Sequence, residues 1–410
     1  MPEFLQLLPP YEALERLLTG LTLHVMMESQ ETASALGRVT AEEVVAPHPL
    51  PSFPRSTVDG YALRAQDTYG ANEALPAYFN LVGEVQMGVA PLFELERGQC
   101  ALIHTGGMLP EKADAVVMLE LTQGVRQNEV EVLKAAAPGE NVIKIGEDVA
   151  EGQVVIPAGR RLRPADIGGL MALGITSLQV ARQPLVGILS SGDEVVPPTE
   201  QIRPGQVRDV NSYSLSALVR EAGGKAKIYG ILPDRADELL LSAQKALAEC
   251  DLVVITAGSS ASKRDLTAEV INHLGAPGVL VHGVNVHPGK PTILGVCDHK
   301  AVIGLPGNPV SALVIAGLFV TRVIEALCGL SQARIRAVVS ARLTINLASQ
   351  AGREDWIPVE LKRTPQGFDA EPIFGKSNLI FTLARADGLV RIPPDATGLG
   401  AGEMVEVVLS

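Results

Sequence analysis

Between positions 184 and 330 the chain alternates short apolar, β-branched runs with amphipathic stretches, a pattern that predicts an open three-layer α/β unit. Strands are expected at 186–189, 226–232, 252–256, 279–284 and 301–303, and helices over 211–221, 235–249, 266–274 and 310–327. Upstream, Leu14, Leu17, Leu18 and Leu21 recur with helical spacing. A second helix is expected over 33–44, and 165–172 reads as helix again. The character changes over 46–140, where Gly and Pro multiply and runs at 78–85, 100–104 and 115–119 predict a β-rich insertion. After position 330, pieces at 337–345, 356–361, 388–392 and 403–409 predict a small β domain. The expected division is therefore 1–45 plus 141–183, 46–140, 184–330, and 331–410.

Composition narrows the function classes. A chain of 410 residues is too long for one core, and 47% apolar with 20% charged residues is ordinary for globular domains. The formal charge is −12, with nine basic and nine acidic residues after position 330, so the acid excess lies earlier. Such a surface disfavours a polyanion, and nucleic acid is not an expected partner. The opening MPEFLQLLPPYEALERLLTG lacks a basic region followed by an apolar core, and no stretch reaches the roughly 20 apolar residues that span a bilayer. The expectation is a soluble, cytoplasmic protein with no membrane contact. Cys100, Cys250, Cys297 and Cys328 are scattered without a CxxC pair, which reads as buried thiols rather than a zinc site.

The candidate chemistry concentrates at two loops, HPGKPT (287–292) and GLPGNPVSAL (304–313). A helix should start near Pro309, because proline suits the first helical position, and its first-turn N–H groups attract anions. Lys290, between Gly289 and Pro291, adds a compact positive charge. A nucleotide P-loop is rejected: Gly289-Lys290 is followed by proline, not Ser or Thr, and the glycine spacing is wrong. Further polar groups end predicted strands at SSGDE (190–194), around Asp209, Asn211 and Ser212, and at 256–260. Loops of one sheet edge converge in space. Asp193 and Glu194 could bind a cation or a base edge, or form a solvated turn. Asp265 is either a helix N-terminal acid or a metal-side carboxylate. PRSTVDGYA (54–62) has Ser56 and Asp59 spaced as in a capping box, while HTGGMLP (104–110) and GED (146–148) are polar turns.

With PRSTVDGYA, HTGGMLP, ADAVVMLE, GEDV, SSGDEV, DVNSYSL, HPGKPT and GLPGNPVSA in one order, nearly the whole chain resembles the molybdopterin molybdenumtransferase family, whose animal members form the E domain of gephyrin. The resemblance implies a homodimer of four-domain subunits: an elongated helical domain, an inserted β-rich domain, a molybdopterin-binding α/β domain and a C-terminal β-barrel-like domain. It implies an Mg²⁺-dependent enzyme that takes adenylylated molybdopterin and molybdate, releases AMP and leaves molybdenum on the dithiolene. The site would be shared between subunits, with Asp59, Thr105 and Asp148 acting across the dimer. Asp193, Glu194 and Asp209 would line the pterin and nucleotide side, and Asp265 with Asp59 would hold the cation. Lys290, Pro306, Pro309 and Ser311 would form the anion pocket, beside Ser260 and His287, with Arg353 and Ser377 holding molybdate. The molybdopterin adenylyltransferase and molybdoenzyme acceptors are the implied partners.

Two departures bear on activity. Family members commonly carry GGVSxG where this chain has Ala257, Gly258, Ser259, Ser260, Ala261 and Ser262, and often a lysine where His287 stands. A tungstate-specific paralogue and a non-catalytic molybdopterin-binding or scaffold protein therefore stay open. Retention of Asp59, Asp265 and Lys290 favours catalysis. An enzyme that only adenylates molybdopterin would need the α/β unit alone, so the remaining segments argue against it.

Overall fold

The computed structural model describes residues 7–257, 261–332 and 335–409, and the side chains of 261–265 lie outside that description. In the α/β unit four parallel strands run Lys225–Leu232, Leu185–Ser191, Leu252–Ala257 and Lys300–Pro306 in spatial order. Ile293–Cys297 and Pro277–His282 continue the sheet antiparallel. Every residue of Leu252–Ala257 is buried, as expected of a strand covered on both faces. Helices Asn211–Ala222, Pro309–Leu318 and Val320–Leu327 pack on one face, joined there by the N-terminal helix Pro10–Thr19 through Ala13 and Leu17. Ala236–Glu249 and Ala261–Leu274 cover the other. From Leu185–Ser191 the chain first builds one side of the sheet and then the other, which puts the topological switch beside Ser191.

Three further assemblies surround this unit. The inserted sheet orders its strands Ala115–Met118, Gly60–Leu63, Gln99–Ile103, Ala77–Glu84, Glu129–Val132 and Thr122–Arg126. At the C-terminus, Glu354–Thr364 pairs with both Gly367–Pro372 and Gly388–Ile392, and these connect through Met404–Leu409 and Val338–Leu343 into a closed barrel. Near the N-terminus, Met27–Glu31 pairs with Ser177–Ala181, and Val44–Val45 with Val154–Ile156, beside helix Pro164–Ala172.

Several elements differ from the sequence pattern. The helix expected over 33–44 does not form. Only a 3₁₀ turn, Thr32–Ser34, is present, Gly37 takes φ +75°, and the buried Thr40 hydroxyl donates to the Pro157 carbonyl at 2.7 Å. Its apolar residue Ala35 packs against Leu162, Leu170 and Val180, so tertiary burial and not helical periodicity set the spacing. The strand Ile293–Cys297 was not signalled, because the hairpin to Lys300–Pro306 turns on Asp298 and His299, both at positive φ, instead of an Asn-Gly pair. The helix over 310–327 is two segments with a break at Phe319. Together Pro309–Leu327 is long and apolar enough to cross a membrane, against the expectation that no stretch is, but it is mostly buried in the α/β core. The four cysteines are buried and free, as expected.

Candidate functional site

In the insertion, three sequence motifs fold onto one another. Asp59 immediately precedes Gly60, whose backbone lies so close to the Val117 carbonyl that no Cβ fits there. Ser56 exchanges backbone bonds with Gly106 and Gly107, and Val142–Ile143 pairs with Arg55–Ser56. Both the Thr105 amide, at 2.7 Å, and its hydroxyl, at 3.1 Å, donate to Asp59 Oδ1. These bonds, the amide's first, hold the Asp59 carboxyl below its ordinary pKa, with the His104 charge adding and desolvation opposing. No helix follows Ser56; its hydroxyl donates to the Val58 carbonyl at 2.6 Å, so Ser56 and Asp59 are not a capping box. Asp148 sits exposed on the adjoining loop, its amide bonded to the Leu50 carbonyl.

A second group collects at the carboxyl edge of the α/β sheet. Asp193 follows Leu185–Ser191, and its carboxylate accepts from the Asp234 amide at 3.2 Å. Ser191 donates to Asp234 Oδ1 at 2.6 Å. Sequence reasoning passed over Asp234; its signal was a carboxylate two residues beyond the predicted strand 226–232. Buried Asp209 accepts the Ser212 amide at 3.0 Å and so caps helix Asn211–Ala222. The Asn211 amide donates to the Gly307 carbonyl at 2.8 Å, tying this helix to the GLPGNP loop.

A third group joins that edge to the barrel. Gly289, at φ +121°, seats the HPGKPT loop so closely on Ile315 that no side chain fits, and so lays it on helix Pro309–Leu318. Val286–His287 pairs with Glu354–Asp355. Arg353 grips the buried Asp355 in bidentate fashion, at 2.7 and 2.9 Å, and Ser349 donates to the same carboxylate. Partial burial holds the His287 imidazole below its ordinary pKa, with Arg353 adding and Asp355 opposing. The Lys290 side chain is exposed and carries no ion pair or hydrogen bond among the described residues, while its carbonyl accepts from the Val284 amide at 3.0 Å.

The helix starts at Pro309 as its sequence requires, but its N-terminus is not wholly open. The Val310 amide donates to the Ser377 carbonyl at 3.0 Å, and the Asn308 side chain donates to the Ser377 hydroxyl at 2.9 Å. The anion-binding potential therefore rests on Lys290 and on the groups of that first turn not taken by the barrel.

Contacts thus assemble Asp59 with Thr105, and the Pro306–Pro309 turn and Ser311 helix with Asp209, His287, Lys290, Arg353 and Ser377. No hydrogen bond or ion pair among the described residues links the first cluster to the second. Ser260 and the Asp265 side chain lie outside the described residues. The backbone makes 265 the fifth position of helix Ala261–Leu274, so Asp265 is not the N-terminal acid of a helix beginning at 266. Among the described residues no group of three or more His, Cys, Asp or Glu is arranged to hold a metal ion. Asp59 nonetheless keeps Oδ2 without a hydrogen bond among the described residues, and an exposed carboxylate of this kind suits Mg²⁺, which takes one or two carboxylates together with substrate phosphates.

Three family patterns cover the chain in order: the MoeA N-terminal region (domain I and II) at residues 8–174, a probable molybdopterin binding domain at 187–326, and the MoeA C-terminal region (domain IV) at 340–410. A molybdopterin molybdenumtransferase of Nostoc sp. is 32% identical over 92% of this chain and 87% of its own length. One of Bacillus subtilis is 31% identical over 92% and 88%. The crystal structure of a molybdopterin biosynthesis MoeA protein from Pyrococcus horikoshii OT3 superposes with a TM-score of 0.87 at 32% identity, covering 99% of this chain and all of that one. With the same domains in the same order and similarity along its whole length, the chain belongs to the molybdopterin molybdenumtransferase (MoeA) family of molybdenum cofactor biosynthesis.

Proposed function

We propose that this protein inserts molybdate into adenylylated molybdopterin and releases AMP, working as a cytoplasmic homodimer whose site is shared between subunits. The observation that carries the reading is the junction of Lys290, Arg353, Ser377 and helix Pro309–Leu318, where an unpaired cation meets a helix start braced by the barrel. Cleavage of the substrate's pyrophosphate develops negative charge on phosphate oxygens, and fixed donors aimed at that charge lower the barrier. Lys290 and the first helical turn supply them. Asp193, Glu194, Asp209 and Asp234 line the adjoining sheet edge and orient the pterin and nucleotide. Arg353, already oriented by Asp355, and Ser377 hold the oxyanion to be inserted. Mg²⁺, held by Asp59 and Asp265, would neutralise charge on the pyrophosphate. Water, or an oxygen of the bound oxyanion, attacks phosphorus, and the AMP–phosphate bond breaks.

The shared site is supported by the position of the insertion cluster. Among the described residues Asp59 and Thr105 make no hydrogen bond to the α/β unit of their own chain. The exposed Met87 lies over Gly106 and gives the cluster an apolar neighbour open to solvent, a feature expected where protein covers protein. A molybdopterin adenylyltransferase would supply the substrate, and molybdoenzymes would take the product. The test is to incubate the protein with adenylylated molybdopterin and Mg²⁺, add molybdate or tungstate separately, and follow AMP and pterin-bound metal. Oxyanion-dependent AMP release supports the reading, and the faster oxyanion is the substrate. Tight pterin binding without AMP release overturns it in favour of a carrier.

A further inference from the structure

Three adjacent strands of the inserted sheet deliver three side chains to one end. Gly60–Leu63 runs antiparallel to Gln99–Ile103, and Ala77–Glu84 runs parallel to it on the other side. The residue before the first, Asp59, the residue after the second, His104, and the last residue of the third, Glu84, therefore stand in a row. Neighbouring strands lie about 4.8 Å apart, so an imidazole on the middle strand reaches both sides. Here Nε2 is 2.9 Å from Glu84 Oε1, and Nδ1 is 3.8 Å from Asp59 Oδ1. A carboxylate only accepts, so Nε2 carries a proton and donates it to Glu84.

We infer that His104 is a positioning residue, held by Glu84, that fixes the Asp59 carboxylate with Oδ1 turned inward and Oδ2 presented outward. The inference rests on the proposed role of Asp59 at the cation. Thr105 bonds only to Oδ1, and His104 Nδ1 faces that same oxygen at 3.8 Å, an electrostatic approach without a hydrogen bond. The imidazole also stands between Asp59 and Glu84, keeping two like charges apart on an exposed surface. All three side chains are near half exposed, so a substitution at 104 removes no core contact.

Outer partners of metal-holding carboxylates and imidazoles are worth about 10- to 100-fold in affinity or activity when removed. In the full-length protein, His104→Ala is expected to raise the Mg²⁺ concentration for half-maximal AMP release about 10-fold, with the rate at saturating Mg²⁺ changed less than about twofold. His104→Gln, which keeps an N–H donor, should recover part of that loss. Independently of turnover, the ¹⁵N signals of the His104 ring should show Nε2 protonated and should move in both Glu84→Gln and Asp59→Asn. If Asp59→Asn abolishes AMP release while His104→Ala and His104→Gln leave the Mg²⁺ dependence unchanged, His104 does not position Asp59 and the inference alone is overturned. If Asp59→Asn itself releases AMP normally, the cation role of Asp59 fails. The ring signals then report whether the Glu84–His104–Asp59 row exists without it.

Discussion

The two polar regions are built on opposite plans. The insertion cluster is exposed, made from one sheet end, and holds Asp59 through Thr105 and His104 while leaving Oδ2 unused. The junction at Lys290 is braced by two domains: the barrel donates a strand partner to His287, caps the helix with Ser377 and buries Asp355 against the partly exposed Arg353. The junction is finished within the chain except for the charge of Lys290; the insertion cluster keeps Asp59 Oδ2 without a partner among the described residues. A site that needs both must bring the exposed half to the braced half.

The largest expected effect tests that requirement. Lys290→Ala and Asp59→Asn should each lower AMP release about 100-fold or more. If the site is shared, a re-associated equimolar mixture should recover roughly a quarter of the wild-type rate, because half the dimers are mixed and each has one intact site. A mixture no better than its parents would leave the two regions unconnected across subunits.

Arg353→Ala tests the bracing. It leaves the buried Asp355 carboxylate with only Ser349, and should lower unfolding stability in urea by about 3 kcal/mol. Adding Asp355→Asn should restore much of this; equal loss in the double variant would mean the pair is not the cause. A smaller effect is expected for Asn308→Ala, which removes one bond to Ser377 while the Val310 cap remains. It should lower stability by about 1 kcal/mol, read as a shift of the thermal midpoint.

The smallest effect concerns charge at 287. With its pKa lowered, His287 is neutral at pH 8 and gains charge only as pH falls through a value below 6.5. The wild-type KM for oxyanion should therefore fall on the acid side, while His287→Lys should turn over a few-fold faster at pH 8 and keep a flat profile there. Identical pH profiles in the two proteins would remove His287 from the anion site.

Much of the α/β unit was legible because its strands are short, β-branched and buried on both faces, so periodicity and burial agree, as at Leu252–Ala257. The helix start at Pro309 was legible for a local reason, since proline, glycine and Asn308 set it without help from elsewhere. Where local and tertiary signals parted, the pattern misled. Residues 33–44 carry helical spacing but spend it on packing against Leu162 and Val180, and the hairpin at Asp298-His299 has no glycine to announce it.

What the sequence determined by itself is the set of motifs, their order, and the elements that each ends on, because turn chemistry and strand burial act over a few residues. The tertiary structure alone decided which motifs meet. Asp234 came to Ser191, Asn211 to Gly307, Ser377 to Val310 and His104 to both Glu84 and Asp59 through strand order and domain docking. Those contacts join residues up to 96 positions apart, as Asn211 and Gly307 are, and such separations leave no trace in local periodicity.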